Sequence, residues 1–148
     1  MSYATVEAAV EAVVIKIAGY SAANVTAGDH RMLAAGQTKA VVIERSGPSS
    51  RAPLNLDGTS VEQIWAVKVD IFTAFSDEID TLKDGEVTAM QEVLDNFDKW
   101  PFLDGTSGVL SAFVTSIEEP EEWLLGGRWW RTRMILEVAE SVSVTRSE

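Results

Sequence analysis

Residues 128–138 read RWWRTRMILEV, and this stretch indicates the fold more strongly than any other part of the chain. In a β-strand, successive side chains point to opposite faces, so alternate residues share a face. One set of alternate positions supplies four apolar side chains: Trp130, Met134, Leu136 and Val138. The other set combines an indole with two guanidinium groups: Trp129, Arg131 and Arg133. We therefore predict a strand whose apolar face enters the core and whose Trp/Arg face meets a partner.

The net charge limits what that partner can be. The chain has 12 Lys and Arg against 23 Asp and Glu, a formal charge of −11. Such an excess of acid disfavours nucleic acid, because neutralising phosphates supplies most of the affinity for it. Three interpretations of the Trp/Arg face stay open: a nucleic-acid contact, an ordinary polar strand face, and a protein interface, which we favour because Trp and Arg are enriched there. The acidic segments 77–104 and 118–122 of a neighbouring copy could complement it in a head-to-tail contact.

Length and composition indicate one domain covering residues 1–148. The sequence contains no cysteine, so disulfides and thiolate metal sites are excluded. No apolar run approaches the roughly 20 residues that cross a bilayer, and the N-terminus does not resemble a secretory signal, so we expect a cytoplasmic protein without membrane contact.

Hydrophobic spacing predicts two helices and four strands. The helices are expected at residues 3–18 and 86–100, where apolar residues recur every three or four positions. In the second helix this apolar stripe consists of Val87, Met90, Leu94 and Phe97. The β-branched and alternating segments predict four strands: residues 39–45, 61–75, 109–117 and 128–144. The order α-β-β-α-β-β indicates an α+β fold, with one mostly antiparallel four-stranded sheet and both helices on one face. Between the first two strands, residues 46–60 are rich in Gly, Pro and Ser and predict a long loop, in which Leu54 and Leu56 are exposed.

No group of residues indicates catalysis. His30 beside Asp29 could form a triad with a serine, but no serine lies in a nucleophile-elbow pattern. The acidic turn at 118–122 lacks the ligand spacing of a calcium loop, and the glycines form no phosphate-binding motif. We therefore expect no enzyme activity, no metal and no cofactor.

The element order and three local stretches resemble the tail terminator proteins of long-tailed bacteriophages. Residues 24–31 (NVTAGDHR) look like the segment that follows that family's first helix, and residues 65–75 look like its long central strand. Residues 97–105 (FDKWPFLDG), followed by Val109, look like the helix end and the turn into the third strand.

This resemblance implies a homo-oligomeric ring, most simply a hexamer. The ring would cap the tail tube, contact the tail tube protein, and offer a joining surface to a head-side connector protein. It would be found in the virion, and in the bacterial host cytoplasm during assembly. The subunit contacts implied here involve the loop, the acidic turn and the last strand: Arg51, Leu54, Leu56, Glu118, Glu119, Trp129, Arg131 and Arg133.

Two alternatives stay open. Related phage neck, head-completion and tube proteins share similar folds, so the role could be one of theirs. A small enzyme or ligand-binding α+β domain is the other alternative, with a pocket lined by Trp65, Trp100 and Trp130.

Overall fold

The computed structural model describes residues 3–28, 38–44, 47–74, 79–124 and 128–145, and in these residues it contains two helices and seven strands. In chain order the elements are α1 (Tyr3–Val14), β1 (Val25–Gly28), β2 (Lys39–Glu44), β3 (Pro48–Pro53), β4 (Ser60–Ala74), α2 (Ile79–Lys99), β5 (Val109–Ile117), β6 (Glu121–Leu124) and β7 (Arg128–Ser143). All the strands belong to one mixed sheet.

The centre of the sheet is the antiparallel pair formed by β4 and β7. The two strands stay in register over all 15 residues of β4, from Ser60 opposite Ser143 to Ala74 opposite Trp129. Because the register has no shift, every side chain of β4 shares a face with its partner on β7. Alternate side chains of the two strands therefore lie on the same face of the sheet along the whole length of the pair.

Shorter strands flank this pair on both sides. On the far side of β4, β2 pairs with residues 68–73 and β3 pairs with residues 61–65. On the far side of β7, β5 and then β6 pair in the same interrupted way. At the edge, β1 adds to β2 in parallel, which makes the sheet mixed. The outer edge of β4 thus pairs with β2 and β3 in turn, and the outer edge of β7 pairs with β5 and β6 in turn.

The predicted fold class was wrong in its sheet and in its order α-β-β-α-β-β, since the described residues form four strands between the helices and three after the second one. The four predicted strands are confirmed as β2, β4, β5 and β7, but the sheet has seven mixed strands and not four mostly antiparallel ones. Most of the predicted loop 46–60 is β3 and the turn that follows it. The prolines and serines of β3 indicated a turn, yet proline is tolerated on a strand that lies at a sheet edge. The other two missed strands, β1 and β6, have only four residues each.

Both helices pack on one face of the sheet, here called the inner face; the opposite one is the outer face. Fully buried apolar residues of the two central strands cover the inner face: Val67, Val69, Ile71, Met134, Leu136 and Val138. The helices place their own buried residues against them: Val6, Val10, Val13, Ala89, Val93 and Phe97. The predicted apolar face of the last strand is confirmed at Met134, Leu136 and Val138.

The second helix differs from its prediction in length and in rotation. It begins at Ile79 instead of residue 86 and passes through Gly85 without interruption. The predicted apolar stripe placed Val87 in the core, but its side chain is 44 % exposed. Glu86 takes the buried position instead, so a carboxylate enters the core where the pattern predicted a valine. No helix among the described residues is long and apolar enough to cross a membrane.

Candidate interaction surfaces

Arg133 lies on the outer face and binds two carboxylates of its own chain. The register places it opposite Asp70 of β4, whose side chain is fully buried. Arg133 Nε and Nη2 donate to the two oxygens of Asp70 at 2.7 and 2.9 Å, and Nη2 also donates to Glu44 Oε2 at 2.7 Å. The hydrogen bonds to Asp70 hold the pKa of the Arg133 guanidinium above its ordinary value. A bidentate hydrogen-bonded pair of this kind is among the strongest contacts between an arginine and a carboxylate.

Arg131 is even more enclosed, with 6 % of its surface exposed. Its Nη1 lies 3.9 Å from Asp70 Oδ2, and its Nη2 pairs with Glu121 and lies 3.8 Å from Glu118 Oε2. The guanidinium also stacks over the ring of Trp123, 4.3 Å from its centre. Glu118 and Glu121 therefore complement Arg131 within one chain, where the sequence had suggested a neighbouring copy.

Trp129 belongs to a small apolar cluster on the outer face. It is 6 % exposed and packs with three buried residues of β2 and β4: Ala40, Val42 and Phe72. The predicted face pattern of the last strand is therefore correct, since Trp129, Arg131 and Arg133 do share the face opposite the core. Trp129 and Arg131, however, are buried there. Of the acidic turn, Glu119 is exposed and forms no ion pair within the described part of the chain.

The predicted contact residues of the former loop lie on a separate feature, here called the hairpin arm. It comprises β3, a tip at residues 54–59, and residues 60–65 of β4. All six residues of β3 are exposed, including Arg51. Leu54 is 47 % exposed, and Leu56 is as exposed as in an extended chain. The structure thus places three of the eight predicted contact residues on the exposed arm and three, Glu118, Arg131 and Arg133, in the ion-pair network. The other two lie in neither group, since Trp129 belongs to the apolar cluster and Glu119 is exposed.

The hydrogen bonds of the tip give it a definite shape. Thr59 donates to Asp57 Oδ1 from its backbone nitrogen at 3.0 Å and from its hydroxyl at 2.7 Å. Asn55 Oδ1 accepts a hydrogen bond from the backbone nitrogen of Ser60 at 3.1 Å. Gly58 occupies the left-handed region, with φ of 69°, where glycine is favoured. Asn, Asp and Gly therefore close this turn through their usual local hydrogen bonds.

Glu86 and Glu140 are buried carboxylates on the inner face that were not predicted from the sequence. Glu140 Oε1 accepts from Trp65 Nε1 at 2.8 Å and from Gln63 Nε2 at 3.0 Å. Glu86 Oε2 accepts from the Thr73 hydroxyl at 2.6 Å, and burial raises the pKa of Glu86 to about 7. For Glu86 the signal was the spacing to Ala89, Val93 and Phe97, which continues one helical stripe.

The three tryptophans of the predicted pocket, Trp65, Trp100 and Trp130, have different surroundings, and Trp130 is half-buried on β7 opposite Thr73. Trp65 is 4 % exposed and lies in the core, bonded to Glu140. Trp100 lines an open groove at the end of α2, together with residues 101, 102 and 104–106. His30 and Asp29 lie outside the described residues. Within the described ranges, no group of three or more His, Asp or Glu is placed to hold a metal ion.

Comparison with protein-family models finds no match, and comparison with curated proteins finds no similar sequence. The function must therefore be inferred from the geometry and from the resemblance of the sequence.

Proposed function

We propose that this chain is a structural assembly protein, and specifically a tail terminator subunit. Copies of it would form a ring, most simply a hexamer, that caps the tail tube and offers a joining surface to the head-side connector. The proposal rests on the sequence resemblance and on surfaces that suit contact between proteins.

The observation that carries the proposal is the hairpin arm. Its strand β3 is exposed at every residue, and its tip presents Leu54 and Leu56 to solvent. The two leucines lie two residues apart on one turn, and contiguous exposed apolar surface of this kind is typical of a contact with another protein. A contact between an arm and a different surface of the next copy is head-to-tail, which closes into a ring when the rotation permits.

The outer face of the sheet offers a second surface. Both described helices pack on the inner face, and Phe113 of β5 points outward, opposite Glu137, with 52 % of its surface exposed. In contrast, the ion pairs of Arg131 and Arg133 are satisfied within the chain. The outer face can therefore receive another protein without leaving these charges unpaired.

The test of ring formation is the mass of the assembled protein. Native mass spectrometry and negative-stain electron microscopy of the wild type should show one discrete ring. The double substitution Leu54→Ser and Leu56→Ser should yield monomer with an unchanged melting temperature, because surface changes cost little stability. Leu124→Ser is the matched control, since Leu124 is a 74 % exposed leucine of β6, outside the arm. A wild type that stays monomeric from low to high micromolar concentration, in both low and high salt, contradicts the ring.

The tail role needs a separate measurement. Tube protein encoded by the same genome should polymerise into tubes whose growth stops when the chain is added. Labelled chain should appear at tube ends and not along the sides. If the protein forms a ring that neither binds tube ends nor changes tube length, the assembly function is supported and the terminator role is contradicted.

A further inference from the structure

Arg51 differs from the other arginines of the described chain. Arg128, Arg131 and Arg133 each pair with a carboxylate. Arg51 stands on β3 opposite Gln63 and has no carboxylate partner among the described residues. An exposed guanidinium that has no acid partner among the described residues can bind a carboxylate from another molecule.

An apolar groove lies directly beside Arg51. Its walls are Ala52, Pro53, Val61 and Val144, and its volume is about 300 Å³. The backbone nitrogen of Val144 donates to the Thr59 carbonyl at 2.8 Å, which ties the end of the sheet to the arm and fixes one wall. The groove is therefore lined by one cation, Arg51, and by four apolar residues, which are here called its apolar floor.

The tip of the arm carries the complementary pair of groups. The side chain of Leu56 is fully exposed, so it does not occupy the groove of its own arm. Next to it, the hydrogen bond from the Thr59 hydroxyl holds the pKa of the Asp57 carboxyl below its ordinary value. The same hydrogen bonds hold the turn, and Leu56 and Asp57 are thus presented together on a preformed tip.

We infer that the tip of one copy docks into the arm groove of a second copy, with Leu56 on the apolar floor and Asp57 on Arg51. This inference rests on the proposed function and names the contact that would join neighbouring subunits. Each copy offers one tip and one groove, so the contact can repeat from copy to copy around a ring. Burial of a leucine supplies affinity, and the ion pair fixes the orientation.

Cross-linking tests the contact directly, because the wild-type chain contains no cysteine. Leu56→Cys and Val144→Cys are made as separate proteins and mixed at equal concentration under mild oxidation. Since each variant carries one thiol, a disulfide between the two different variants can form only across copies. We expect this heterodimer to form at least tenfold faster than the one between Leu124→Cys and Val144→Cys.

Charge substitution provides a second test. Asp57→Asn keeps the acceptor oxygen of the turn and removes only the charge, and Arg51→Gln removes the cation. Each should weaken association about two- to fivefold, as expected for an exposed ion pair. The double variant should be no weaker than either single variant, because both remove the same contact.

The outcomes separate this inference from the proposed function. One outcome is that the wild type assembles while Leu56→Cys cross-links to Val144→Cys no faster than Leu124→Cys does. This result would be compatible with the ring and would overturn the arm contact. Additive effects of Asp57→Asn and Arg51→Gln overturn the ion pair. A wild type that never assembles overturns both proposals.

Discussion

Glu86 and Thr73 are joined by a 2.6 Å hydrogen bond across the interface between α2 and the sheet. The Glu86 side chain is fully buried, and its second oxygen, Oε1, accepts no hydrogen bond within the described part of the chain. A buried carboxylate that is only half satisfied favours its protonated form. We therefore expect the stability of the interface between α2 and the sheet to depend on pH.

The first prediction follows from the raised pKa of Glu86. Its pKa is about 7 in the folded chain against 4.5 ordinarily, so the folded state binds the proton more tightly. The resulting stability is complete below pH 4.5 and is lost as the pH rises to 7. The change in the free energy of unfolding that Glu86→Gln causes should therefore be more favourable at pH 8 than at pH 4, by up to about 3 kcal/mol. Urea denaturation followed by tryptophan fluorescence at the two pH values measures this difference, and an equal effect at both would contradict it.

The second prediction concerns Arg133 and Asp70. Replacing Arg133 with Met leaves Asp70, which is fully buried, with Arg131 at 3.9 Å as its nearest cation. Breaking a buried pair in this way should lower the free energy of unfolding by about 3–5 kcal/mol. Arg128→Met is the matched control, because Arg128 and Glu122 form an exposed pair that should contribute less than about 1 kcal/mol.

Equilibrium denaturation at neutral pH compares the two variants, and equal losses would show that the Arg133 network is not structural. Charge reversal at Arg131 and Arg133 is expected to unfold the chain. Such variants therefore cannot serve as probes of assembly, and the arm variants are the suitable ones.

The sequence predicted the two faces of β7 but not what covers each face. Alternation alone placed Met134, Leu136 and Val138 in the core, and the structure confirms this. Alternation could not reveal that Asp70, 63 residues away, would lie opposite Arg133. Which charges meet depends on which strands pair and in which register, and the alternation within one strand does not show either.

The missed strands have a common physical cause. The residues of β3, PSSRAP, have poor strand propensity, and the strand exists because β4 extends far enough to pair with it. The short β6 follows Pro120 and is held by Arg131 and Arg128, which bind its glutamates. Tertiary contacts form both strands, so local patterns could not show them. At the candidate site, the exposure of Leu54 and Leu56 was predictable, whereas the groove beside Arg51 depends on Val144, which follows β7 and is distant in sequence.

The last prediction concerns the hydrogen bond between Trp65 and Glu140. Glu140 is 1 % exposed, and one oxygen accepts from both Trp65 and Gln63. Trp65→Phe keeps most of the apolar contact but removes the indole donor, so a buried carboxylate loses part of its solvation. The free energy of unfolding should fall by about 2–3 kcal/mol.

Trp100→Phe is the control for this change, because Trp100 is only partly buried and lies at the rim of an open groove. Its loss should be the smaller of the two. A further variant, Trp65→Phe with Glu140→Leu, removes the carboxylate that lost its donor and should recover part of the stability. Guanidinium denaturation followed by circular dichroism at 222 nm measures all three variants. If the double variant is less stable than Trp65→Phe alone, Glu140 stabilises the fold through contacts other than the indole.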